Sequence, residues 1–565
     1  MKFQLILPQD LRGALDASVS DWTSKGNVER LFQKDATLWT GTDEAKWLGW
    51  TDIVARQHAD LAKYAGLAAD IHASGIESLL VLGMGGSSLC PEVLSVTFGQ
   101  QRGYPAPYIV DSTNPAQVKE IRDKVDLCKA LVIVASKSGS TLEPNVLKQY
   151  FFEEMKKAVG AENAGGRFIA ITDPGSKMQK VAEADGFRHV FFGDPQVGGR
   201  FSALSPFGVV PATAMGLDTY KLLDEAGKAV EAAKRTPADN PAVQLGLLLG
   251  TAANAGRDKI TVFTSPEVYD LGAWLEQLIA ESTGKLGKGI TPVDREQIAA
   301  PDAYGSDRIF AYIRFAGTKD ASQDAAVAAL EAAGQPVIRI EIADLYEIFS
   351  QFFTWEVATA VAGAVMGVNP FDQPDVESAK IVARELTNAY EQTGKLPSSQ
   401  PVYSGEGVEI YATEAYAAKL AVTDASLTSW LRAHLNQIVP GDYFAALAYL
   451  PMVAENEAAI QQFRHKVRDA KKVATCLGFG PRFLHSTGQD YKGGPNTGVF
   501  LHITSDHSAD LAIPDQKFTF GVCIDAQAGG DLSVLEERGR RVLRIHLHNV
   551  ESGLKALGEA VAKAL

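Results

Sequence analysis

The chain is poor in the residues and runs that mark metal knuckles, disulfide scaffolds and membrane spans. Its 565 residues include only four cysteines, and no two of them have CxxC spacing. No apolar run approaches the roughly 18 uninterrupted residues of a membrane helix. The apolar run in the first ten residues is too short for a signal peptide. We therefore expect a cytoplasmic protein that contacts no membrane.

Positive charge is also in short supply. The chain has 54 lysines and arginines against 68 acidic residues, which gives a net charge of -14. An acidic chain is not expected to bind nucleic acid, although a local cationic pocket can still hold a small anion. The hydrophobic fraction of 46% and the charged fraction of 22% are ordinary for globular proteins. The length predicts about three to five domains.

Short apolar runs alternate with helical patterns from about residue 75 onward. This alternation predicts parallel sheets of the α/β class, covered by helices on both faces. In such sheets ligands bind where the carboxyl ends of strands meet the amino ends of helices. The predicted strands are 78–82, 108–111, 131–135, 168–172 and 189–192 in a first unit, and 260–263, 308–313 and 337–341 in a second.

Composition shifts divide the chain further. Residues 1–70 have a helical, amphipathic pattern and are predicted to cover the core. The apolar helix around 349–366 is predicted to be fully buried. A stretch rich in Pro, Gly and Ser at 393–407 is the predicted linker. We place one α/β domain at 71–225, a second at 226–392, and a C-terminal mixed region that completes the site at 408–565, with strands at 499–504 and 518–524.

The stretch 131–144 combines a buried strand, a hydroxyl-rich loop and a helix start. The loop Ser136-Lys-Ser-Gly-Ser-Thr141 is followed by a helix with Glu143 and Pro144 in its first turn. A helix N-terminus offers unpaired N–H groups and partial positive charge, which suit a phosphate. The alternative for this stretch alone is an ordinary helix cap.

A second glycine-rich loop, Gly83-Met-Gly-Gly-Ser-Ser88, precedes a helix in the same unit. It resembles a dinucleotide fingerprint that has Ser88 in place of the third glycine, which is a weak match. Two such loops at one sheet edge predict a single phosphate held by hydroxyl and N–H groups, without a metal. We expect Asp111 to cap the turn at Asn114 instead of binding a ribose.

Two further segments carry candidate catalytic side chains. In Val197-Gly-Gly-Arg200, paired glycines allow close backbone approach, and an arginine that is always protonated can hold developing negative charge. The alternative is an arginine ion-paired in a turn. Glu281 lies in the last turn of a helix that ends at Gly284. A desolvated carboxylate in that position suits a general base, and the alternative is a surface glutamate.

The last two candidates follow in the second half of the chain. Gln373 and Lys380 are seven residues apart, so they lie on one face of a helix, where the alternative is two solvated side chains. The segment 484–496 is polar and glycine-rich between two apolar runs, which predicts a functional loop. It contains His485, for which the alternative is a packed histidine at a strand edge.

In this order, the motifs GMGGSS, SKSGST, VGGRFSALS, ESTGK and NPFDQPDVESAK resemble the glucose-6-phosphate isomerase family. With RFLHSTGQ and KGGPNTG, nearly the whole chain resembles the isomerase half of bacterial transaldolase/glucose-6-phosphate isomerase fusions. The resemblance implies two sugar isomerase (SIS) domains, each a doubly wound parallel sheet in three αβα layers. It also implies a sugar phosphate as substrate, no cofactor and no metal, a homodimer, and a functional link to a transaldolase.

The resemblance also implies roles for individual residues. The implied catalytic residues are Glu281 as the base between C2 and C1, Arg200 as the group that stabilises the enediolate, and Lys380 and His485 for ring opening. The family usually has its ring-opening histidine directly after a Gly-Gln pair, where this chain has Asp490. The implied substrate-binding residues, which include the phosphate loop, are Gly86, Ser87, Ser136, Lys137, Ser138, Thr141, Gly199, Gln373 and Gln489.

The expected reaction is the reversible conversion of glucose 6-phosphate to fructose 6-phosphate through a cis-enediolate. One alternative is a non-catalytic SIS sensor, which needs the hydroxyl loop but not Arg200, Glu281 and Lys380 together. A second is a related SIS isomerase that acts on mannose or amino-sugar phosphates. A third, a nucleotide-dependent oxidoreductase, is disfavoured by Ser88 and by the second hydroxyl loop.

Overall fold

Three β-sheets organise the computed structural model, which describes residues 2–565. The N-terminal segment was predicted to be helical throughout, but it begins with a strand. Its elements are β1 (Lys2–Ile6), α1 (Gln9–Ser24), α2 (Asn27–Phe32), α3 (Ile53–Ala59) and α4 (Leu61–Ala73). The rest of the segment consists of these four helices and, at residues 33–52, of turns and short 3₁₀ helices.

The first sheet has five parallel strands in the order β3-β2-β4-β5-β6. Its elements are β2 (Ser78–Leu82), α5 (Leu89–Phe98), β3 (Ala106–Val110), α6 (Pro115–Lys124), β4 (Ala130–Ala135), α7 (Leu142–Val159), α8 (Ala161–Ala164), β5 (Phe168–Thr172), α9 (Lys177–Ala184) and β6 (His189–Phe192). All six residues of β4 are buried, as expected for a strand covered on both faces. The chain reverses its winding direction between β2 and β4, and this switch point opens a crevice at their carboxyl ends.

Three helices lead to the second sheet, whose order is β1-β10-β9-β7-β8. The elements are α10 (Pro206–Ala214), α11 (Thr219–Ala233), α12 (Pro241–Asn254), β7 (Lys259–Thr264), α13 (Leu271–Thr283), β8 (Thr291–Val293), β9 (Arg308–Phe315), α14 (Ser322–Ala332), β10 (Val337–Ile342), α15 (Ile348–Met366) and α16 (Pro374–Thr393). Strands β7 to β10 are parallel, whereas β1 pairs antiparallel with β10. The N-terminal segment therefore supplies an edge strand to this sheet.

Helix α15 forms much of the core between the first two sheets. Among residues 2–565, one helix, Leu345–Met366, is long and apolar enough to cross a membrane, and 89% of its apolar window is buried inside the protein. The predicted burial of this helix is therefore confirmed. Its side chains pack against α12 and α13, so it serves as a core helix of the fold.

The C-terminal region contains a third sheet of six strands in the order β11-β12-β16-β15-β13-β14. Strands β13 to β16 are parallel, and β11 and β12 extend the sheet in antiparallel pairs. The elements are β11 (Tyr403–Gly405), β12 (Val408–Tyr411), α17 (Glu414–Leu420), α18 (Leu427–Leu435), β13 (Tyr443–Ala448), α19 (Ala454–Lys471), β14 (Ala474–Phe479), α20 (Gly488–Gly493), β15 (Gly498–Ser505), α21 (Phe520–Glu537), β16 (Arg541–Leu547) and α22 (Val550–Ala564).

Two predictions for this C-terminal region are wrong. The run 518–524 is not a strand, because Thr519 caps α21 by accepting a hydrogen bond from the N–H of Val522. A short apolar run does not distinguish a strand from a buried helix start. The segment 484–496 is not an open loop either. It holds the end of the 3₁₀ turn Arg482–His485 and α20, whose six residues are all buried. The domain boundaries themselves stay predictions.

Candidate active site

The site begins at the switch point of the first sheet, where the glycine-rich loop follows β2 and the hydroxyl loop follows β4. The 3₁₀ turn Gly85–Ser87 packs against a second turn, Gly199–Phe201. A Cβ atom on Gly86 would overlap the carbonyl oxygen of Gly199, so only glycine allows this contact. The two motifs therefore fix each other's position at the edge of the sheet.

A small polar cavity of about 140 Å³ lies between these loops, α13, α16 and the turn before α20. Most of the residues predicted for the site line it. They are Gly86, Ser87, Ser136, Lys137, Thr141, Gly199, Arg200, Glu281, Gln373, Lys380 and His485. The three sheets thus contribute to one cavity, since His485 comes from the C-terminal region.

Arg200 and Glu281 form the most buried charged pair in the cavity. The Arg200 Nε atom lies 3.3 Å from Oε2 of Glu281, and the arginine side chain is 3% exposed. Its Nη1 atom donates to the carbonyl oxygens of Glu281 at 2.6 Å and Asp372 at 3.1 Å. Burial lowers the pKa of Arg200, and the charges of Glu281 and Asp372 oppose this shift. A guanidinium still remains charged at neutral pH.

Gln277 is a neighbour of the pair that the sequence analysis missed. Its amide nitrogen donates to Oε2 of Glu281 at 3.0 Å, so that oxygen has a donor besides Arg200. The two side chains are four residues apart on α13, which places them on one helix face. That spacing could have identified Gln277 from the sequence, because a polar residue one turn before the candidate base lies on the same face of the helix.

The chain before α16 is held by Lys285. The Lys285 Nζ atom donates to the carbonyl oxygen of Asn369 at 2.5 Å and to Oδ1 of Asp372 at 2.7 Å. Burial and the neighbouring charge of Arg200 lower the pKa of Lys285 to about 7. This clamp fixes the carbonyl groups that surround Arg200 and orients Gln373, whose Oε1 accepts from the Arg200 guanidinium.

His485 is oriented by a carboxylate that was not assigned a role from sequence. Its Nε2 atom lies 2.8 Å from Oε1 of Glu143, which also accepts from the amide of Gln527 at 2.6 Å. Burial alone raises the pKa of Glu143, but the charge and hydrogen bond of His485 outweigh it and lower that pKa below its ordinary value. The first turn of α7 thus supplies a charged partner to the histidine.

Lys380 and Gln373 lie on the same face of α16, as their spacing predicted. Gln373 is the N-cap residue of the helix, and Lys380 follows two turns later. Both side chains line the cavity. The Lys380 Nζ atom is 3.6 Å from Glu377 on the outer side of the helix, and its side chain is one-third exposed.

The hydroxyl group of Ser136 is the clearest indication of where a ligand binds. Ser136 is 2% exposed, and among residues 2–565 its Oγ atom has no hydrogen-bond partner. A buried hydroxyl without a partner is costly unless a ligand satisfies it. It lies at the carboxyl end of β4, beside the N-terminus of α7.

Two predicted substrate-binding residues do not line this cavity. Ser138 is exposed at the rim, where its hydroxyl pairs with that of Ser140 at 2.7 Å. Gln489 is fully buried behind the cavity. Its Oε1 accepts from the backbone N–H groups of Asp375 and Val376 at 3.0 and 3.2 Å. Gln489 therefore supports the start of α16 instead of facing a substrate.

Two neighbouring acidic residues, Asp111 and Asp490, are buried with hydroxyl partners. The expectation that Asp111 caps the turn at Asn114 is wrong. Asn114 itself caps α6, and the Asp111 carboxylate accepts from the Ser88 hydroxyl at 3.1 Å. Asp490, which occupies the usual histidine position of the family, accepts from the Thr291 hydroxyl on β8 at 2.8 Å. Burial raises the pKa of Asp490 to about 7 despite that bond.

The comparisons with known proteins agree with this arrangement. A sequence model of the phosphoglucose isomerase family matches residues 62–303, which include the hydroxyl loop, Arg200 and Glu281. A glucose-6-phosphate isomerase of Rubrobacter xylanophilus is 30% identical over 361 residues, or 56% of this chain and 83% of that protein. The chain belongs to the glucose-6-phosphate isomerase family. A glucose-6-phosphate isomerase of Enterococcus faecalis is 28% identical over 404 residues, or 61% of this chain and 88% of that protein.

Solved structures support the fold of this family member. A hypothetical protein of Thermus thermophilus matches with a TM-score of 0.59 at 25% identity, covering 68% of this chain and 99% of that one. A glucose-6-phosphate isomerase of Chlamydia trachomatis matches with a TM-score of 0.54 at 20% identity, covering 68% and 87%. The predicted α/β fold with SIS-type doubly wound sheets is thereby confirmed. Family membership identifies the chain as a sugar-phosphate isomerase and does not favour the sensor alternative.

Proposed function

We propose that this member of the family interconverts glucose 6-phosphate and fructose 6-phosphate through a cis-enediolate, without a metal ion. The observation that carries the proposal is the convergence of a carboxylate, a guanidinium and an unpartnered serine hydroxyl on one small cavity. These groups correspond to the three needs of the reaction, namely a base, a charge for the enediolate and an anchor for the phosphate.

The phosphate is proposed to bind at the first sheet. The hydroxyls of Ser87, Ser136 and Thr141 line the cavity next to the N-terminus of α7, where unpaired N–H groups and the helix dipole favour an anion. Ser138, on the rim, is proposed to contribute by a small closure of its loop. The binding energy of the phosphate then aligns C1 and C2 with the catalytic groups.

Ring opening is proposed to use His485 and Lys380. Glu143 holds the Nε2 atom of His485, so we assign Nδ1 to the proton transfer with the ring oxygen. The ammonium group of Lys380 lines the same cavity and supplies positive charge near the sugar hydroxyls. Both side chains come from elements outside the first sheet, which leaves that sheet free to hold the phosphate.

Glu281 is proposed to take the proton from C2 and return it to C1. The adjacent guanidinium of Arg200, fixed by backbone carbonyl groups, stabilises the negative charge that develops on the enediolate oxygen. A preorganised guanidinium in a buried site supplies the charge stabilisation that a metal ion would otherwise give. The proposal therefore needs no metal at this cavity.

The variant Glu281→Gln tests the assignment of the base. Loss of a general base predicts a fall in kcat of about 10²–10⁴ for glucose 6-phosphate with little change in melting temperature. Glu276→Gln is a matched control on the same helix. Desolvation and the charge of Asp294 raise the pKa of Glu276, so its carboxyl group is largely protonated and an amide resembles it. Wild-type isomerisation by Glu281→Gln would remove Glu281 from this role.

Substrate range, assembly and cellular context are open to direct measurement. Turnover of glucose, mannose and glucosamine 6-phosphates in parallel tests the sugar specificity.

The homodimer is proposed on the resemblance alone, and light scattering on the purified chain gives its mass directly. The link to a transaldolase and the cytoplasmic location stay predictions. Co-purification of a transaldolase with this chain tests the former.

A further inference from the structure

A cluster of three potential metal ligands lies outside the active site, at the carboxyl edge of the third sheet. Within residues 2–565, Asp506, His546 and His548 form the one group of three His, Cys, Asp or Glu side chains whose ligand atoms all lie within 4.8 Å of one another. Asp506 directly follows β15, and the two histidines lie at the end of β16. Ligands of α/β sheets characteristically bind at this edge.

The register of the two strands explains why the three side chains meet. Strands β15 and β16 are parallel, and Thr504 is aligned with His546. His546 and His548 are two residues apart, so they extend to the same face. The Asp506 carboxylate lies between the two rings, with Oδ1 3.1 Å from Nε2 of His546 and Oδ2 3.2 Å from Nδ1 of His548.

These separations are those of hydrogen bonds from the imidazole rings, and they are also close to the spacing of ligand atoms around a single metal ion. Zinc binds imidazole and carboxylate at roughly 2.0–2.2 Å in tetrahedral geometry, which places neighbouring ligand atoms about 3.3 Å apart. Two neutral imidazoles and one carboxylate are the donor set of zinc and of other late first-row divalent metals, whereas calcium and magnesium prefer oxygen alone.

Each histidine also has a polar group near its other ring nitrogen, and the group near His546 is within hydrogen-bond distance. The Nδ1 atom of His546 lies 3.0 Å from the Thr504 hydroxyl, and Nε2 of His548 lies 3.8 Å from the Glu409 carboxylate on β12. Such outer partners fix the ring orientation and the tautomer of metal-ligating histidines.

We propose that Asp506, His546 and His548 bind one zinc-class divalent metal ion, with a fourth coordination position open to solvent. Asp506 and His548 line a cleft of about 1250 Å³ between the third sheet and α19 and α22, and the open position faces that cleft. Three ligands and an open position are typical of zinc sites that hold water or an anion. This site is separate from the isomerase cavity and does not depend on the proposed reaction.

The test uses the full-length chain without an affinity tag, stripped of metal with a chelator. Titration with Co²⁺ gives the visible d–d bands of tetrahedral cobalt, and equilibrium dialysis with Zn²⁺ gives the stoichiometry. We expect one metal ion per chain in the wild type and a melting temperature that rises with added zinc. Asp506→Asn and His546→Ala should abolish both effects while isomerase activity is kept.

Two further variants separate a built site from nonspecific binding. His507→Ala is the matched control, because His507 neighbours Asp506 and lines the same cleft but pairs with Asp525 at 3.0 Å. It should bind metal like the wild type. Thr504→Val, which removes an outer partner, should weaken binding about 10–100-fold. The proposal is overturned if the wild type gives no cobalt spectrum at millimolar metal, or if His507→Ala and His546→Ala bind alike.

Discussion

Replacing Glu143 with glutamine separates ring opening from proton transfer. The substitution keeps the shape of the side chain and its capacity to accept a hydrogen bond, but it removes the negative charge beside His485. Both His485 and Gln527 donate to the same oxygen, Oε1, at 2.8 and 2.6 Å. The amide oxygen can keep these two contacts, so the change is one of charge and not of packing.

The expected loss follows from the hydrogen-bond energies. A hydrogen bond to a charged group contributes about 1.5–3 kcal/mol and a neutral one about 0.5–1.5 kcal/mol. The difference of about 1–1.5 kcal/mol applies where His485 carries a proton during ring opening. At about 1.36 kcal/mol per factor of ten, Glu143→Gln should slow that step about 5–13-fold.

The assay measures two rates on the same protein. Ring opening interconverts the anomers of glucose 6-phosphate, so proton NMR exchange spectroscopy reports it without isomerisation. We expect Glu143→Gln to slow both anomer exchange and isomerisation, and Glu281→Gln to slow isomerisation alone. The control Gln527→Leu removes the other donor and should have a smaller effect. Wild-type anomer exchange in a folded Glu143→Gln variant would refute the role of the His485–Glu143 pair.

Three further predictions test other parts of the structure. Ser136→Ala should raise KM for glucose 6-phosphate by at least about tenfold, since a hydrogen bond to a charged phosphate is lost, whereas Ser140→Ala in the same loop should leave steady-state kinetics unchanged. Gly86→Ala should lower kcat/KM more than about tenfold by displacing the Arg200 turn, while Gly198→Ala, with no atom within 4 Å of its Cβ position, should not. Asp490→Asn should stabilise the protein more at pH 8 than at pH 5. The pKa of Asp490 is near 7 in the folded protein and 3.8 in the unfolded chain, so the free energy of unfolding of the wild type falls by a few kcal/mol as the pH rises between these values. Melting temperatures of both proteins at pH 5 and pH 8 measure the difference.

Local sequence was sufficient to predict the five strands of the first sheet and three of the five strands of the second, where the three-residue strand β8 was missed. Their strands are continuous apolar runs because helices cover both faces, and the hydroxyl loop and α7 follow from turn and capping chemistry. Strand β1 could not be predicted in the same way. Its partner β10 lies more than 330 residues away, and a short edge strand with half-exposed residues carries no strong local pattern.

The site was predictable where its residues lie in motifs and unpredictable where they pair over long distances. Glu281 and Lys380 are marked by helix position and spacing, and Gln277 could have been found one turn before Glu281. Glu143 could not have been assigned, because its partner His485 is 342 residues further along the chain. Gln489 was misplaced because sequence does not show that its amide turns toward the backbone of α16.

Because His485 follows a strand of the third sheet, the residues of the cavity come from two parts of the chain that one connecting segment joins. Glu281, Arg200 and the two loops of the first sheet all precede residue 394, and His485 follows residue 402. Between these points the chain is mostly exposed and holds no helix or strand. A nick there cuts no helix or strand, yet it leaves His485, the proposed ring-opening group, held to the rest of the cavity by noncovalent contacts alone. Isomerase activity is therefore also a readout of docking, and the chain is a natural starting point for a split-enzyme reporter divided in that segment.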